Sequence, residues 1–164
     1  MIPGVTGAAD ISECGTYRYW LTRTWGPGPV VCFVMLNPST ADADEDDPTL
    51  TRCRCVARGE GYDGLRVVNL FALRSPSPRV LLYHPEPAGP GNDQAVIDAV
   101  KSAAGVIVAW GANASLPKLR ARRNEVLALL DGIPLWCLGT TRDGEPRHPG
   151  RLALRTPIVP WEAR

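Results

Sequence analysis

The clearest pattern along the chain is a set of short apolar runs, each stopping abruptly at polar residues. Residues 30–36 (VVCFVML) carry β-branched and aromatic side chains with almost no polar interruption, as a strand buried on both faces of a sheet does. Residues 65–69 (LRVVN), 105–110 (GVIVAW) and 134–138 (PLWCL) repeat the pattern. Between them the spacing is helical. Asp47-Pro48 reads as an N-cap followed by proline in the first turn, opening a helix to about Arg58. It gathers Leu50, Cys53, Val56 and Ala57 on one face and stops at Gly59 and Gly61. Asn92 caps a second helix to about Ala104, with Val96, Ile97, Val100 and Ala104 inward. A third, over residues 119–131, turns Leu119, Val126, Leu127 and Leu130 inward and ends at Gly132. Upstream, residues 17–24 (YRYWLTRT) alternate as a strand does. Gly26-Pro27-Gly28-Pro29 then turns the chain, predicting an antiparallel pair with residues 30–36. Residues 1–15 show little pattern and are expected to form an N-terminal arm.

Strand and helix alternate from Val30 onward, which predicts an α/β fold in three layers, α/β/α, around a mostly parallel sheet of four to five strands. The 164 residues, 45% hydrophobic, suit one domain with its own core. No basic-then-apolar leader opens the chain, and no stretch approaches the roughly 18 apolar residues of a membrane span. The expectation is a soluble, cytoplasmic monomer with no membrane partner. The five cysteines are odd in number, and Cys32 and Cys137 fall inside apolar strands, as reduced core thiols do. Cys53 and Cys55 form C-x-C rather than the C-x-x-C of zinc and redox sites, so no metal and no cofactor is expected.

Net charge is +1, but the distribution is uneven. Residues 117–164 hold nine Lys or Arg against five Asp or Glu, and residues 1–116 hold nine against twelve. A basic C-terminal third can track phosphates, although a solvated helix face accounts for Arg120, Arg122 and Arg123 equally well.

Parallel strands bring their carboxyl ends to one edge, where ligands of open α/β sheets collect. Asn37, Pro38, Ser39, Thr40 and Asp42 follow the first buried strand, Asn69 ends the second, and a loop carrying His148 follows PLWCL. Two amides and an imidazole converging there suit a planar hydrogen-bonding ligand such as a nucleobase, because Asn both donates and accepts. A long proline-rich passage over residues 71–91 is itself a functional signal in so small a domain.

Several of these segments resemble the uracil-DNA glycosylase superfamily. LNPS at residues 36–39 resembles its first motif, and VVNLFALRSPSP at residues 67–78 the segment whose asparagine reads the base before a proline-rich loop. VIVAWG at residues 106–111 is similar to its glycine-ended strand, and RHPGRL at residues 147–152 to its His-Pro motif and DNA-contacting loop. NPSTAD with DDPT, VVNLFALR, AWG and G-x-P-R-H-P together resemble, more closely, a family of small bacterial and phage proteins of unknown function.

The superfamily resemblance implies a DNA glycosylase-like enzyme that excises or exchanges a pyrimidine, modified or not, after flipping it from the stack. His148 would stabilise the departing base, Asn69 would pair with its edge, and Pro38 with Phe71 would close on it. Asn37 would hold water, with Asp42 supplying the carboxylate that active members carry at the Asn37 position. On that view Asn37→Asp leaves activity intact or raises it. Ser39, Thr40, Arg142, Arg147 and Arg151 would meet phosphate. The base-stacking aromatic would be Trp25, Tyr62 or Phe71, and the four-cysteine pattern of the iron-sulfur members is missing. The partner expected is DNA or a nucleotide. Three other readings stay open: a protein that pockets a base without cleaving it, an N-glycosidase of free nucleotides, and a metal enzyme using Asp42, Asp44, Asp46 and Asp47.

Overall fold

The computed structural model describes residues 4–39 and 41–163. Strands β1 (Thr6–Ile11), β2 (Arg18–Thr24), β3 (Val30–Met35), β4 (Gly64–Asn69), β5 (Gly105–Val108), β6 (Leu135–Cys137) and β7 (Val159–Pro160) form one sheet in the order β1-β2-β4-β3-β5-β6-β7. Helices α1 (Pro48–Gly59), α2 (Asn92–Lys101) and α3 (Pro117–Leu129) connect the central strands.

The class is α/β. The sheet, however, is mixed and seven-stranded rather than mostly parallel with four to five strands. β4, β3, β5 and β6 run parallel to one another, whereas the β1–β2, β2–β4 and β6–β7 pairings are antiparallel. The added edge strands escape apolar periodicity because an edge needs no apolar run: β1 reads TGAADI, and β7 is two residues long. Residues 6–11 are accordingly a strand and not part of an arm. Nor does β2 pair with β3, since β4 and β5 occupy both edges of β3. β2 lies instead against β4, with Leu21 opposite Val67.

The uninterrupted apolar run of β3 follows from this central place. Val31, Phe33 and Met35 pack under α1 with Leu50, Cys53, Val56 and Ala57. Cys32 and Val34 face the other way, against Val96, Ala99 and Val100 of α2 and Leu119 and Val126 of α3. Side chains buried this completely stabilise the fold by about 1.5–3 kcal/mol each. At α2 the predicted cap moves: Gly91 is the N-cap, and Asn92 lies buried in the first turn, its Nδ2 donating to the carbonyls of Asn69 at 2.9 Å and Leu70 at 3.0 Å. Ile97 is only half-buried, Ala104 is exposed, and Ala99 takes the inward position.

The basic face of α3 is largely spent inside the molecule. Arg122 is buried and donates to Leu70 O at 2.8 Å and Asp93 at 2.6 Å, tying α3 to the end of β4 and the start of α2. Arg123 pairs with the buried carboxylate of Glu145. No helix among the described residues is long and apolar enough to cross a membrane.

Candidate functional site

The chain leaves β3 for α1 on one face of the sheet and leaves β5 for α3 on the other, so a crevice opens between the carboxyl ends of these neighbouring strands. A cavity of about 570 Å3 occupies it. Asn37 and Ser39 after β3, Trp110 and Gly111 after β5, and His148 and Arg151 from the last loop line it. The amino end of α1 closes a further side through Asp47, Pro48 and Thr49, and Ser75, Pro76 and Pro78 of the proline-rich passage close another.

His148 is set by its own turn and by β5. Its Nδ1 accepts the Gly150 N–H at 3.1 Å, so the neutral ring carries its proton on Nε2 and can only donate from that atom. His148 is exposed on one side, and the protein packed against the rest of the ring lowers its pKa below the usual histidine value, with Asp47 pulling the other way. Beneath it Gly111 has φ +79°, and a Cβ there would stand 3.0 Å from His148 Cβ, so glycine is what lets the strand end pass under the ring. The loop is held to β5 by the Gly111 N–H on Pro146 O at 2.9 Å and by the Trp110 indole N–H on Glu145 at 2.7 Å.

Asn37 is oriented by carbonyls. Its Nδ2 donates to Ser75 O at 2.9 Å and Pro38 O at 3.1 Å, which holds the proline-rich passage against the end of β3. The amide is then committed as a donor on one side only, and Oδ1 is the atom that can accept from water or ligand.

Other predicted residues lie elsewhere. Asn69 is buried, 1% exposed, on the strand position paired with Met35, and it is not part of the cavity wall. Its Nδ2 has no partner. Pro38 is buried behind Asn37, and Phe71 belongs to the core between the sheet and α2 and α3. Asp42 turns away: its carboxylate accepts the N–H groups of Asp44 and Glu45, each at 2.9 Å, and these bonds hold its pKa below the usual range. Asp46 likewise serves Arg23 and Arg54, each at 2.8 Å, so the acidic run closes a loop and does not converge on one point. Arg142 and Arg147 are exposed outside the cavity. Thr40 lies outside the described residues. Trp25 and Tyr62 meet at the far end of the sheet, where the Trp25 indole donates to Tyr62 O at 3.0 Å, and the aromatic at the cavity is Trp110.

Sequence reasoning missed Arg18. Between Asp10 and Ile11 the β1–β2 register slips: Asp10 faces Trp20 and Ile11 faces Arg18, leaving Tyr19 as the extra residue of a bulge. In an unbroken strand Arg18 and Trp20 share a face. Across the bulge they part, Trp20 packing on the α2 side and Arg18 reaching the cavity beside Asp47. The signal was the charged residue inside an otherwise aromatic strand, YRYW, although nothing in that string marks a bulge.

The sequence profile of DUF1643, a family described as proteins of unknown function, matches residues 18–150. The chain belongs to that family. The DUF1643 match begins at Arg18 and ends two residues past His148, so most of the cavity wall falls within it, while β1 and β7 lie outside. No curated protein and no solved structure matches the chain.

Proposed function

We propose that this DUF1643 protein is a glycosylase-like enzyme that pockets the base of a nucleotide and hydrolyses its N-glycosidic bond, with a pyrimidine, plain or modified, as the base. The observation that carries this reading is the convergence of a tautomer-fixed His148 and an accepting Asn37 on one cavity at the carboxyl edge of the sheet. The resemblance of the LNPS, VVNLFALR and RHP segments to the uracil-DNA glycosylase superfamily supports it, as does the doubly wound sheet centre. In the reaction the C1′–N bond breaks with its electron pair on the base. His148 Nε2–H donates to the base oxygen where negative charge gathers, and Asn37 Oδ1 orients a water toward C1′. The water oxygen bonds to C1′, and its proton ends on the released base. The substrate is the nucleotide unit of DNA or a free nucleotide. The proposed setting is the cytoplasm, which the unpaired thiols of Cys32, Cys53 and Cys137 suit, and the proposed working form is a monomer.

The test is base release from oligonucleotides and nucleotides carrying uracil and altered pyrimidines. Wild type is expected to release a base and His148→Ala to release none.

A second reading, a binder that does not cleave, is favoured by one observation. Asp47 is the carboxylate on the cavity wall, and its Oδ1 already accepts the Leu50 N–H at 2.7 Å as the cap of α1. Saturable binding with no release from any substrate decides for the binder.

A further inference from the structure

Three arginines among the described residues are buried: Arg18, Arg23 and Arg122. Two are fully provided for. Arg23 pairs with Asp46 at 2.8 Å and donates to the carbonyls of Thr22, Asp42 and Glu45, while Arg122 pairs with Asp93 and Glu125 and donates to Leu70 O. Arg18 differs. It is 4% exposed, Nη1 donates to Ala41 O at 2.5 Å, Nε is buried without a partner, and no carboxylate of the described residues stands within ion-pairing distance.

A buried guanidinium without a counter-ion is costly, and it persists where something else supplies the negative charge. Burial lowers the Arg18 pKa to about 10, which leaves it charged at neutral pH, and Asp47 only partly offsets the effect. The bulge at Tyr19 is what carries this charge to the cavity wall. One further feature there suits an oxyanion: a second guanidinium, that of Arg151, lines the same cavity.

We propose that the cavity holds a terminal phosphate of its ligand on Arg18, so that the substrate is a nucleotide bearing a phosphate monoester and not an internal unit of a DNA duplex. This rests on the nucleotide reading above and names its substrate class. A phosphate must enter the cavity to reach a guanidinium that is almost wholly covered. A monoester presents three open oxygens to a planar fork and to Arg151, whereas an internal phosphodiester brings a sugar on either side. A cavity of about 570 Å3 is in the range of small-ligand sites.

The experiment measures binding of deoxyuridine, deoxyuridine 5′-monophosphate and inorganic phosphate by calorimetry, with unliganded melting temperature followed for each variant. The monophosphate is expected to bind roughly ten- to a hundredfold more tightly than the nucleoside, and inorganic phosphate to compete with it. Arg18→Lys, which keeps charge but loses the fork, is expected to remove most of that preference at an unchanged melting temperature. Arg151→Gln, a change near the end of the last loop, is expected to weaken the monophosphate alone. If Arg18→Lys does not fold, the wild-type preference and the Arg151→Gln result decide. Equal binding of nucleoside and monophosphate by wild type overturns the phosphate site and leaves the base reading standing. Competing phosphate with no affinity for either nucleoside or nucleotide overturns the base reading instead and leaves an anion site at Arg18.

Discussion

Glu145 accepts the indole N–H of Trp110 at 2.7 Å, across 35 positions of sequence, and the same carboxylate pairs with Arg123. The contact joins the end of β5 to the loop that carries His148, three residues on. Glu145 and Trp110 are buried, 3% and 1% exposed, while Arg123 is half-buried. Glu145→Ala leaves a half-buried arginine without its carboxylate and a buried indole donor without an acceptor, so a loss of about 2–4 kcal/mol is expected in denaturant unfolding. Glu145→Gln keeps an acceptor for Trp110 and is expected to lose less.

Asn37→Asp is expected to weaken the site, contrary to the effect that the glycosylase resemblance implies. Nδ2 faces the carbonyls of Ser75 and Pro38 at 2.9 and 3.1 Å, and a carboxylate oxygen in its place repels both. The expected cost is about 1–3 kcal/mol of stability, with looser ligand binding as the proline-rich passage detaches. An unchanged unfolding midpoint together with raised base release would restore the water-polarising role of an aspartate here.

His148 is expected to titrate below the ordinary histidine pKa of about 6.5 and to show the Nε2–H tautomer in nitrogen-detected NMR. Because the folded protein binds that proton less readily than the unfolded chain, its contribution to stability is fully present above about pH 6.5 and is lost as pH falls through the folded pKa. Protonation also removes the lone pair that accepts the Gly150 N–H. Base release should therefore be level at neutral pH and fall on the acid side, and His148→Gln should flatten that limb.

Arg142 and Arg147 stand outside the cavity, so replacing either by alanine is expected to leave nucleotide affinity within about twofold, since exposed charges contribute little. Binding to DNA measured against salt checks this from the other side. A slope that falls by about one for each arginine removed would show a polymer backbone running over this surface.

Much of the fold could be read along the chain because each central element carries its own pattern. The run of β3 is apolar throughout since both its faces are covered, and Asp47-Pro48 opens α1 where the sequence places it, with Asp47 accepting the Leu50 N–H. The flanking strands could not be read this way. β1 alternates exposed and half-buried positions, and its pairing with β2 is made by backbone groups that carry no side-chain signature. The site divides along the same line. Asn37, Ser39, His148 and Arg151 reach one cavity because parallel strands end at one edge, whereas Asn69, at an equivalent strand end, faces inward under α1.

The two histidines show how far local sequence reaches. His84-Pro85-Glu86 and His148-Pro149-Gly150 form the same turn, with Nδ1 accepting the N–H two residues on at 3.1 Å in both, so His-Pro alone fixes the tautomer of each ring. It does not say which ring meets a ligand. His84 packs edge-on against Tyr17, 6.3 Å between centroids, while His148 stands over Gly111 at the crevice. Arg18 makes the same point more sharply. Its charge is written in the sequence, but its burial, its missing counter-ion and its direction come from one extra residue in a pairing between two strands. Side-chain direction in a strand is set by register, and register is a property of two segments together.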